Sequence, residues 1–407
     1  DKLPGHDNLV YLHLFHKKQP DLNWENPALR EEIYKMINWW LDRGLAGFRI
    51  DAIINIKKTT PLTIDYPPDR ADGLCSPGRM LQDAVGVVDL LNEMADRTFR
   101  KHQAFTIAEL FNWRKEDLAS YIGDEGCFSS IFDFAETVIN ASPNGWYDQK
   151  PVEPEQYKQT VFDVQKSVGD VGYMANIIEN HDESRGVSRY IPEGERSTEA
   201  KKMLGGLSFM LRGLPFLYQG QELGLENATF TDIGQVDDIS TIDEYQVALN
   251  AGCTKEQALA AINRYSRDHT RMPYPWSDAP NGGFTTGKPW LMVNPEWPTL
   301  NLAAEKQQKD SVWHFYKQLI ALRKNPEYSE TVVYGVFEPW LREQHNLMAY
   351  LRKGEKTLLV AGNYQTEPQE MKLPAPIQKV LMNNMPELEE KDGSVMLKGY
   401  QFLVLEI

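Results

Sequence analysis

Short apolar segments alternate with longer amphipathic segments through the first half of the chain. Asn26 and Pro27 are typical of a helix start, apolar residues then recur at helical spacing, and Gly44 ends the pattern before the apolar run from Ala46 to Ile50. The same pairing recurs with predicted strands at 104–108, 131–134, 173–178 and 214–218, and predicted helices at 80–101, 155–168 and 198–212. Such alternation predicts parallel βα units.

The pattern changes twice beyond residue 224. Residues 225–300 are rich in Gly, Pro, Trp and Asp, which predicts a long insertion before a helix at 301–323. From residue 327 onward, short alternating runs separated by turn residues predict a small antiparallel β domain. Its predicted strands are 331–337, 347–351, 357–360, 380–382 and 402–407.

Composition narrows the possible functions. The 407 residues carry 43 Lys and Arg against 58 Asp and Glu, a net charge of −15, which argues against nucleic acid as a partner. No apolar run approaches the ~18 residues that a membrane-spanning helix needs, so no membrane association is expected. The three cysteines, Cys75, Cys127 and Cys253, lie near no CxxC motif or histidine pair. Their number and spacing favour a cytoplasmic protein without a cysteine-bound metal.

Three acidic residues, Asp51, Glu109 and Asp182, each stand at the end of a different predicted strand. Because the carboxyl ends of barrel strands meet at one face, we expect them to be grouped there. Repulsion between grouped carboxylates raises the pKa of at least one of them. One carboxyl can then act as a proton donor while another stays ionised, as glycoside hydrolysis requires. Arg49, two residues before Asp51, is placed to hold it ionised, and His181 is placed to donate to a sugar hydroxyl.

Each of these residues also has an ordinary structural explanation. An aspartate can cap a helix, a glutamate can pair with a lysine, and a histidine can be a satisfied core residue. A carboxylate-rich barrel mouth can also bind a metal ion. The joint placement of the three acids, rather than any one of them, favours a glycosidase.

Several segments resemble, in order, the signatures of the α-amylase superfamily, glycoside hydrolase family 13. Gly47-Phe-Arg-Ile-Asp51, Ile107-Ala-Glu109 and Asn180-His-Asp182 are similar to its second, third and fourth signatures. Further segments resemble the group that contains oligo-1,6-glucosidase, dextran glucosidase and α-glucosidase, namely 11–27, 218–224, 267–276 and 283–295. The resemblance implies an α/β fold, a (β/α)8 TIM barrel followed by a C-terminal antiparallel β domain.

The resemblance also implies domain boundaries. Residues 1–25 would end the excursion after barrel strand 3, residues 26–326 would form strands 4–8 of the barrel with an insertion at about 225–300, and residues 327–407 would form a β-sandwich. No segment resembles the first signature, Asp-x-Val-x-Asn-His. We therefore expect the missing N-terminal barrel segment to be a partner, either as another chain or as omitted sequence, and a structural Ca²⁺ to be possible only there.

Residue by residue, the resemblance implies a retaining double displacement that needs no cofactor or metal. Asp51 would be the nucleophile, Glu109 the general acid and then the base, and Asp182 a ligand of the sugar hydroxyls. The residues implied in substrate binding are Arg49, Ala52, Glu179, His181 and Arg271.

Departures from the family pattern leave the substrate open. Ala52 follows the nucleophile where α-1,6-preferring relatives usually have Val, as in α-1,4-preferring members. Glu179 replaces a common Asn and would either bind hydroxyls beyond the cleaved bond or face a lysine. Leu110-Phe-Asn112 differs from the usual small residues, so the acceptor-side fit cannot be carried over.

The main hypothesis is a retaining, exo-acting α-glucosidase that hydrolyses α-1,6 or α-1,4 bonds, or both, in short oligosaccharides. Trehalose-6-phosphate hydrolase is an alternative that would need a basic cluster beside the pocket. Sucrose isomerase or transglucosidase activity would use the same residues. A non-catalytic α-amylase-like binding subunit is the alternative from another class, and the retention of all three acids argues against it.

Overall fold

Helix α1 (Pro27–Leu41) begins where local chemistry predicts. The Asn26 side chain accepts a hydrogen bond from the Ala28 N–H at 2.9 Å, and Pro27 occupies the first helical position, where a missing N–H costs nothing. Beyond the helix, Gly44 adopts a left-handed conformation with φ 91° that lets the chain turn into the first strand.

The computed structural model describes residues 1–6, 8–59, 66–69, 73–82, 84–111, 113–135 and 138–407. The chain forms two compact units, one of Asp1–Phe132 with Val171–Tyr173 and one of Asp133–Asp170 with Met174–Ile407. No helix in the described part of the chain is long and apolar enough to cross a bilayer.

The first unit follows the predicted alternation of helices and strands. After α1 come β1 (Gly47–Ile50), α2 (Gly78–Gln82), α3 (Val87–Arg97), α4 (Phe99–His102), β2 (Phe105–Ala108), α5 (Leu118–Ile122) and β3 (Ser130–Ile131). β2 pairs in parallel with both β1 and β3, and Gly47 lies opposite Phe105. Because the strands are parallel, Asp51 and Glu109 follow β1 and β2 at the same edge of the sheet.

The predicted single helix at 80–101 is wrong, because backbone breaks divide this segment into α2, α3 and α4. Gly86 has φ 85° directly before α3, and Thr98 has φ −135° and ψ −81° between α3 and α4. Neither conformation is helical, although the apolar periodicity continues across both positions.

The second unit begins with helices and two short parallel strands. In chain order these are α6 (Pro154–Val168), β4 (Ala175–Asn176), α7 (Gly186–Tyr190), α8 (Thr198–Phe209), β5 (Leu214–Pro215), α9 (Ile239–Asn250), α10 (Lys255–Tyr265), α11 (Asp268–Arg271), α12 (Leu302–Gln307), α13 (Val312–Lys324) and α14 (Ser329–Tyr334). β4 and β5 pair in parallel. The predicted helix at 301–323 is two helices, because Asn301 caps α12 and Ser311 caps α13.

Two antiparallel sheets complete the second unit. The strands are β6 (Val336–Trp340), β7 (Leu347–Lys353), β8 (Thr357–Asn363), β9 (Gln369–Lys372), β10 (Lys379–Asn383), β11 (Glu389–Lys391), β12 (Ser394–Leu397) and β13 (Phe402–Glu406). Five of them form a sheet in the order β10-β13-β8-β7-β6, and three form a sheet in the order β11-β12-β9. The predicted strand at 331–337 is wrong, since Ser329–Tyr334 is helical and β6 starts only after Gly335 ends that helix.

The central strands of the five-stranded sheet are buried on both faces. Tyr350, Val360 and Phe402 belong to a core with residues of α8 and α13. Their neighbours Ala349, Leu359 and Leu403 belong to a second core with residues of β9 and β12. This alternation explains why β7, β8 and β13 are apolar almost throughout. The predicted boundary at residue 326 lies within this unit, and the domain boundaries stay predictions.

We expect Gly47→Ala to destabilise the first unit, because an added Cβ would lie 1.8 Å from the Phe105 carbonyl oxygen across the β1–β2 pair. The two backbones would have to separate, and the free energy of unfolding should fall by about 3 kcal/mol or more. Urea unfolding measures this change. Gly78→Ala is the control, since its Cβ meets nothing within 4 Å and its cost should stay within ~0.5 kcal/mol. Equal effects of the two substitutions would contradict the explanation.

Candidate active site

A cluster of Arg49, Asp51 and Glu109 stands at the carboxyl ends of β1 and β2. The Arg49 guanidinium uses separate nitrogens for the two acids: Nη1 donates to Asp51 Oδ1 at 2.6 Å, and Nη2 donates to Glu109 Oε1. The Glu109 N–H donates to the Ile50 carbonyl at 2.9 Å, which continues the β1–β2 ladder past the last strand residue. The parallel pairing therefore places the two carboxyls side by side, joined by one guanidinium.

Ala52 contributes to this cluster through its backbone. Its φ of 41° and ψ of 33° are left-handed, which is uncommon for a residue with a Cβ and costs about 1–2 kcal/mol. The resulting turn directs the Ala52 N–H to Glu109 Oε2 at 3.3 Å. Ala52, predicted as a substrate contact, thus also binds the predicted general acid.

The two carboxyls of this cluster stand in different environments. The Glu109 side chain is 7% exposed, whereas the Asp51 side chain is 73% exposed. Burial, together with a hydrogen bond to Asp51, raises the pKa of Glu109 to about 7, although Arg49 and the Ala52 N–H act in the opposite direction. Asp51 has the Arg49 guanidinium as its charge partner and faces solvent. The pair therefore combines a proton donor that works near neutral pH with an accessible carboxylate.

Asp182 is the centre of a separate cluster in the second unit. Its Oδ1 accepts hydrogen bonds from Arg267 Nη1 at 3.0 Å and Arg271 Nη2 at 2.8 Å, and its Oδ2 lies 3.1 Å from His181 Nε2. Arg271 also donates from Nε to the His181 carbonyl at 2.8 Å. The structure thus brings together three predicted site residues, Asp182, His181 and Arg271.

Two members of this cluster were missed by the sequence analysis. Arg267 lies four residues before Arg271, and in a helix this spacing places two side chains on the same side. The spacing could therefore have indicated that Arg267 accompanies Arg271. Asp238, which binds both arginines, lies 29 residues before Arg267 along the chain and carries no sequence signal. Only the folded insertion brings it to the arginines.

Glu179 does not present its carboxylate to a substrate. Its side chain is 1% exposed, Arg185 Nη1 donates to its Oε1 at 2.8 Å, and the Gly186 N–H donates to its Oε2 at 2.7 Å. Burial raises the pKa of Glu179, while the Arg185 charge and the Gly186 N–H lower it. This arrangement corresponds to the alternative of charge pairing, with an arginine where a lysine was expected.

A cleft of about 620 Å³ in the second unit borders Arg271. Five aromatic residues contribute to its lining, namely Tyr274, Trp276, Phe284, Trp290 and Trp313. The charged side chains that line the cleft are those of Arg271, Lys306 and Glu222. A basic cluster suited to a sugar phosphate is therefore not found among the described residues that line this cleft.

Two further sequence expectations concern the surroundings of the site. Asn112, in the segment that departs from the family pattern after Glu109, lies outside the described residues. Among the residues that the structure describes, no group of three or more His, Cys, Asp or Glu side chains is arranged to hold a metal ion.

Comparison with known proteins identifies similar sequences and structures over nearly the whole chain. The family model described as "Alpha amylase, catalytic domain" matches residues 5–335. A probable oligo-1,6-glucosidase 3 of Bacillus subtilis (strain 168) is 36% identical over 407 residues, covering 96% of this chain and 70% of the relative. An oligo-1,6-glucosidase of Halalkalibacterium halodurans is 35% identical over 390 residues, covering 94% of this chain and 68% of the relative.

Solved structures are also similar to this chain over nearly its whole length. The crystal structure of trehalose-6-phosphate hydrolase from Bacillus licheniformis superposes with a TM-score of 0.87 at 31% identity, covering 97% of this chain and 71% of that one. Isomaltulose synthase from Klebsiella sp. LX3 superposes with a TM-score of 0.86 at 28% identity, with coverages of 97% and 71%. This chain thus spans about 70% of the length of the proteins it is similar to.

We expect Glu109→Gln to change the pH dependence of stability. A carboxyl whose pKa rises from 4.5 to about 7 on folding stabilises the protein below pH 4.5, and this contribution is lost as the pH rises through 7. Glutamine stays neutral, so the variant should become more stable relative to the wild type between pH 4.5 and pH 8. The expected gain is of order 3 kcal/mol, because one pKa unit corresponds to about 1.4 kcal/mol.

Chemical denaturation at several pH values between 4.5 and 8 measures this gain. Glu390→Gln, which removes an exposed carboxyl on β11, is the control and should show no such trend. A Glu109→Gln variant whose stability relative to the wild type does not depend on pH would contradict the burial argument.

Proposed function

The chain belongs to the α-amylase family of glycoside hydrolases, and from this premise we propose that it is a retaining α-glucosidase whose chemistry is carried out by Asp51 and Glu109. The chain matches the α-amylase catalytic domain and superposes on enzymes of that fold, and its parallel strands are followed by C-terminal antiparallel sheets. Its relatives are named oligo-1,6-glucosidases and a glucan 1,6-α-glucosidase.

The observation that carries the proposal is the unequal pair of carboxyls joined by Arg49. Glu109 is buried with a pKa near 7, and Asp51 is exposed and bound to a guanidinium. In the proposed first step, an Asp51 oxygen attacks the anomeric carbon while Glu109 gives its proton to the glycosidic oxygen. The bond from the anomeric carbon to that oxygen breaks, the leaving group departs neutral, and a glucosyl ester of Asp51 remains.

The second step reverses the roles of the two groups around a water molecule. Glu109, now ionised, takes a proton from water, whose oxygen attacks the anomeric carbon and displaces the Asp51 carboxylate. Glu109 is thereby protonated again and Asp51 is free. Because each step inverts the anomeric carbon, the released glucose keeps the α configuration.

We assign the Asp182 cluster to the binding of sugar hydroxyls. Two arginines occupy Oδ1 of Asp182, while Oδ2 has His181 as its neighbour, and the side chain is more than one-third exposed. An anchored carboxylate with one accessible oxygen can accept a hydrogen bond from a hydroxyl without reorienting. The His181 imidazole is a further polar group beside this oxygen that can hydrogen-bond a hydroxyl.

The proposed substrates are short oligosaccharides with α-1,6 or α-1,4 bonds, or both. The names of the relatives support α-1,6 bonds, and Ala52 after the nucleophile supports α-1,4 bonds. The aromatic cleft beside Arg271 lacks a described basic cluster, which disfavours a phosphorylated substrate. We further propose a cytoplasmic location, supported by three cysteines that are all unpaired in the described structure.

We expect Asp51→Asn to reduce kcat by at least about 10⁴-fold, because the amide cannot form the ester intermediate. Turnover of p-nitrophenyl α-D-glucopyranoside measures kcat, and the melting temperature shows whether the variant folds. Asp42→Asn is the control, since Asp42 is an exposed residue directly after α1. Undiminished turnover by a folded Asp51→Asn variant would remove the nucleophile from the proposal.

A panel of isomaltose, maltose, sucrose and trehalose 6-phosphate should separate the candidate substrates. We expect glucose to be released from isomaltose, maltose or both, with kcat/KM at least about 10-fold higher than for trehalose 6-phosphate, because Arg271 and Lys306 are the only cations among the described residues that line the cleft. NMR of the first product should show α-glucose. A preference for the phosphate would support the hydrolase alternative, isomerised sucrose would support the isomerase alternative, and initial β-glucose would exclude a retaining mechanism.

A further inference from the structure

Asp238 is a buried carboxylate that binds both arginines of the Asp182 cluster. Its side chain is 3% exposed. Arg267 contacts it with two nitrogens, Nη2 to Oδ1 at 2.6 Å and Nε to Oδ2 at 3.2 Å, and Arg271 Nη1 reaches Oδ1 at 3.2 Å. Each guanidinium thus lies between Asp238 on one side and Asp182 on the other.

The charges of this arrangement balance only when Asp238 is included. Arg267 and Arg271 carry two positive charges, and Asp182 and Asp238 carry two negative charges. Without Asp238, two guanidiniums would share the single oxygen Oδ1 of Asp182, and their mutual repulsion would no longer be offset. Arg267 and Arg271 are only partly exposed, so we infer that without this carboxylate they would turn toward water and would not keep their positions.

Asp238 is itself held rigidly from two sides. As the N-cap of α9, it accepts hydrogen bonds from the Thr241 N–H at 2.9 Å and the Thr241 hydroxyl at 2.7 Å. Its own N–H and that of Asp237 donate to Asp268 Oδ2 at 3.0 and 2.7 Å. Asp268 belongs to α11, the helix that ends at Arg271. The carboxylate is therefore a fixed point against which both guanidiniums are oriented.

We propose that Asp238 is a positioning residue that fixes Arg267 and Arg271 and, through them, the orientation of the Asp182 carboxylate toward the substrate. This inference rests on the proposed function, in which Asp182 binds the sugar. The competing explanation is that Asp238 serves only as the cap of α9. The two explanations differ in what they require of the side chain, because positioning needs its charge and capping needs only a short polar group.

Two substitutions separate charge from capping. Asn is as good an N-cap as Asp but carries no charge, whereas Glu keeps the charge and is a poorer cap. If Asp238 positions the arginines, kcat/KM should fall about 100-fold in Asp238→Asn, mainly through kcat, and less than about 10-fold in Asp238→Glu. If Asp238 is only a cap, Asp238→Asn should stay within about 3-fold of the wild type while Asp238→Glu loses stability, and this outcome would overturn the proposal.

A double-mutant cycle tests whether Asp238 acts through the arginines. Asp238→Asn should lower kcat/KM by a smaller factor in the Arg267→Met background than in the wild type, because one of its two arginine partners is then absent and only Arg271 is left to disturb. Multiplicative losses would show that Asp238 acts independently and would count against the proposal. Thr254→Ala, which removes the N-cap of α10 without touching an arginine, is the matched control, and it should lower the melting temperature without changing kcat/KM.

A structural measurement keeps this test separate from the proposed function. If the wild-type chain turns over no glucoside, the proposed function fails, but crystal structures of the wild type and Asp238→Asn still test the positioning. At least one of the contacts from Arg267 Nη1 and Arg271 Nη2 to Asp182 should be lost in the variant. If both contact distances stay within about 0.5 Å of their wild-type values, the tolerance typical of functional sites, the proposal is overturned.

Discussion

The chemistry of this protein depends on one guanidinium that joins two carboxyls at the end of a parallel strand pair. The Arg49 side chain extends from β1 and binds Asp51, and the pairing of β1 with β2 places Glu109 within reach of the same guanidinium. A planar fork with several donors can hold two carboxyls at once, which a lysine cannot do with comparable direction. The parallel register of two short strands is thus the constraint on which the proposed acid and nucleophile rely.

Differences in burial give the two carboxyls different properties. Glu109 is buried at the end of β2, which raises its pKa, whereas the Asp51 side chain is exposed and binds Arg49. The backbone at Ala52 adopts an unfavourable conformation and donates its N–H to Glu109. Strain of this kind persists where the surrounding structure compensates for it, and such positions concentrate at functional sites.

Arginines and carboxylates alternate in two clusters of the second unit. Asp182, Arg267, Arg271 and Asp238 form a chain in which each charge contacts an opposite one, and Glu179 with Arg185 repeats the principle in the interior. Asp182 is the most exposed member and can meet a ligand, whereas Asp238, Glu179 and Arg185 are buried. A carboxylate in a sequence motif is therefore not by itself a ligand-binding group, because burial decides which acids can meet a substrate.

The family, the alternation of helices and strands, and the positions of Asp51 and Glu109 directly after β1 and β2 could be predicted from the sequence, because local periodicity and short motifs encode them. The strand predicted at 173–178 is only Ala175–Asn176, so Asp182 lies six residues beyond its end. The sequence did not reveal the breaks in the helices predicted at 80–101 and 301–323, because helix caps and single backbone conformations decide them. It also did not reveal the helix at Ser329–Tyr334 or the antiparallel sheet β11-β12-β9, because their local patterns are weak. Tertiary structure alone decided that Glu179 is buried and that Asp238 meets two arginines. Both results come from contacts between side chains whose surroundings are set by distant parts of the chain, and no local pattern encodes such contacts.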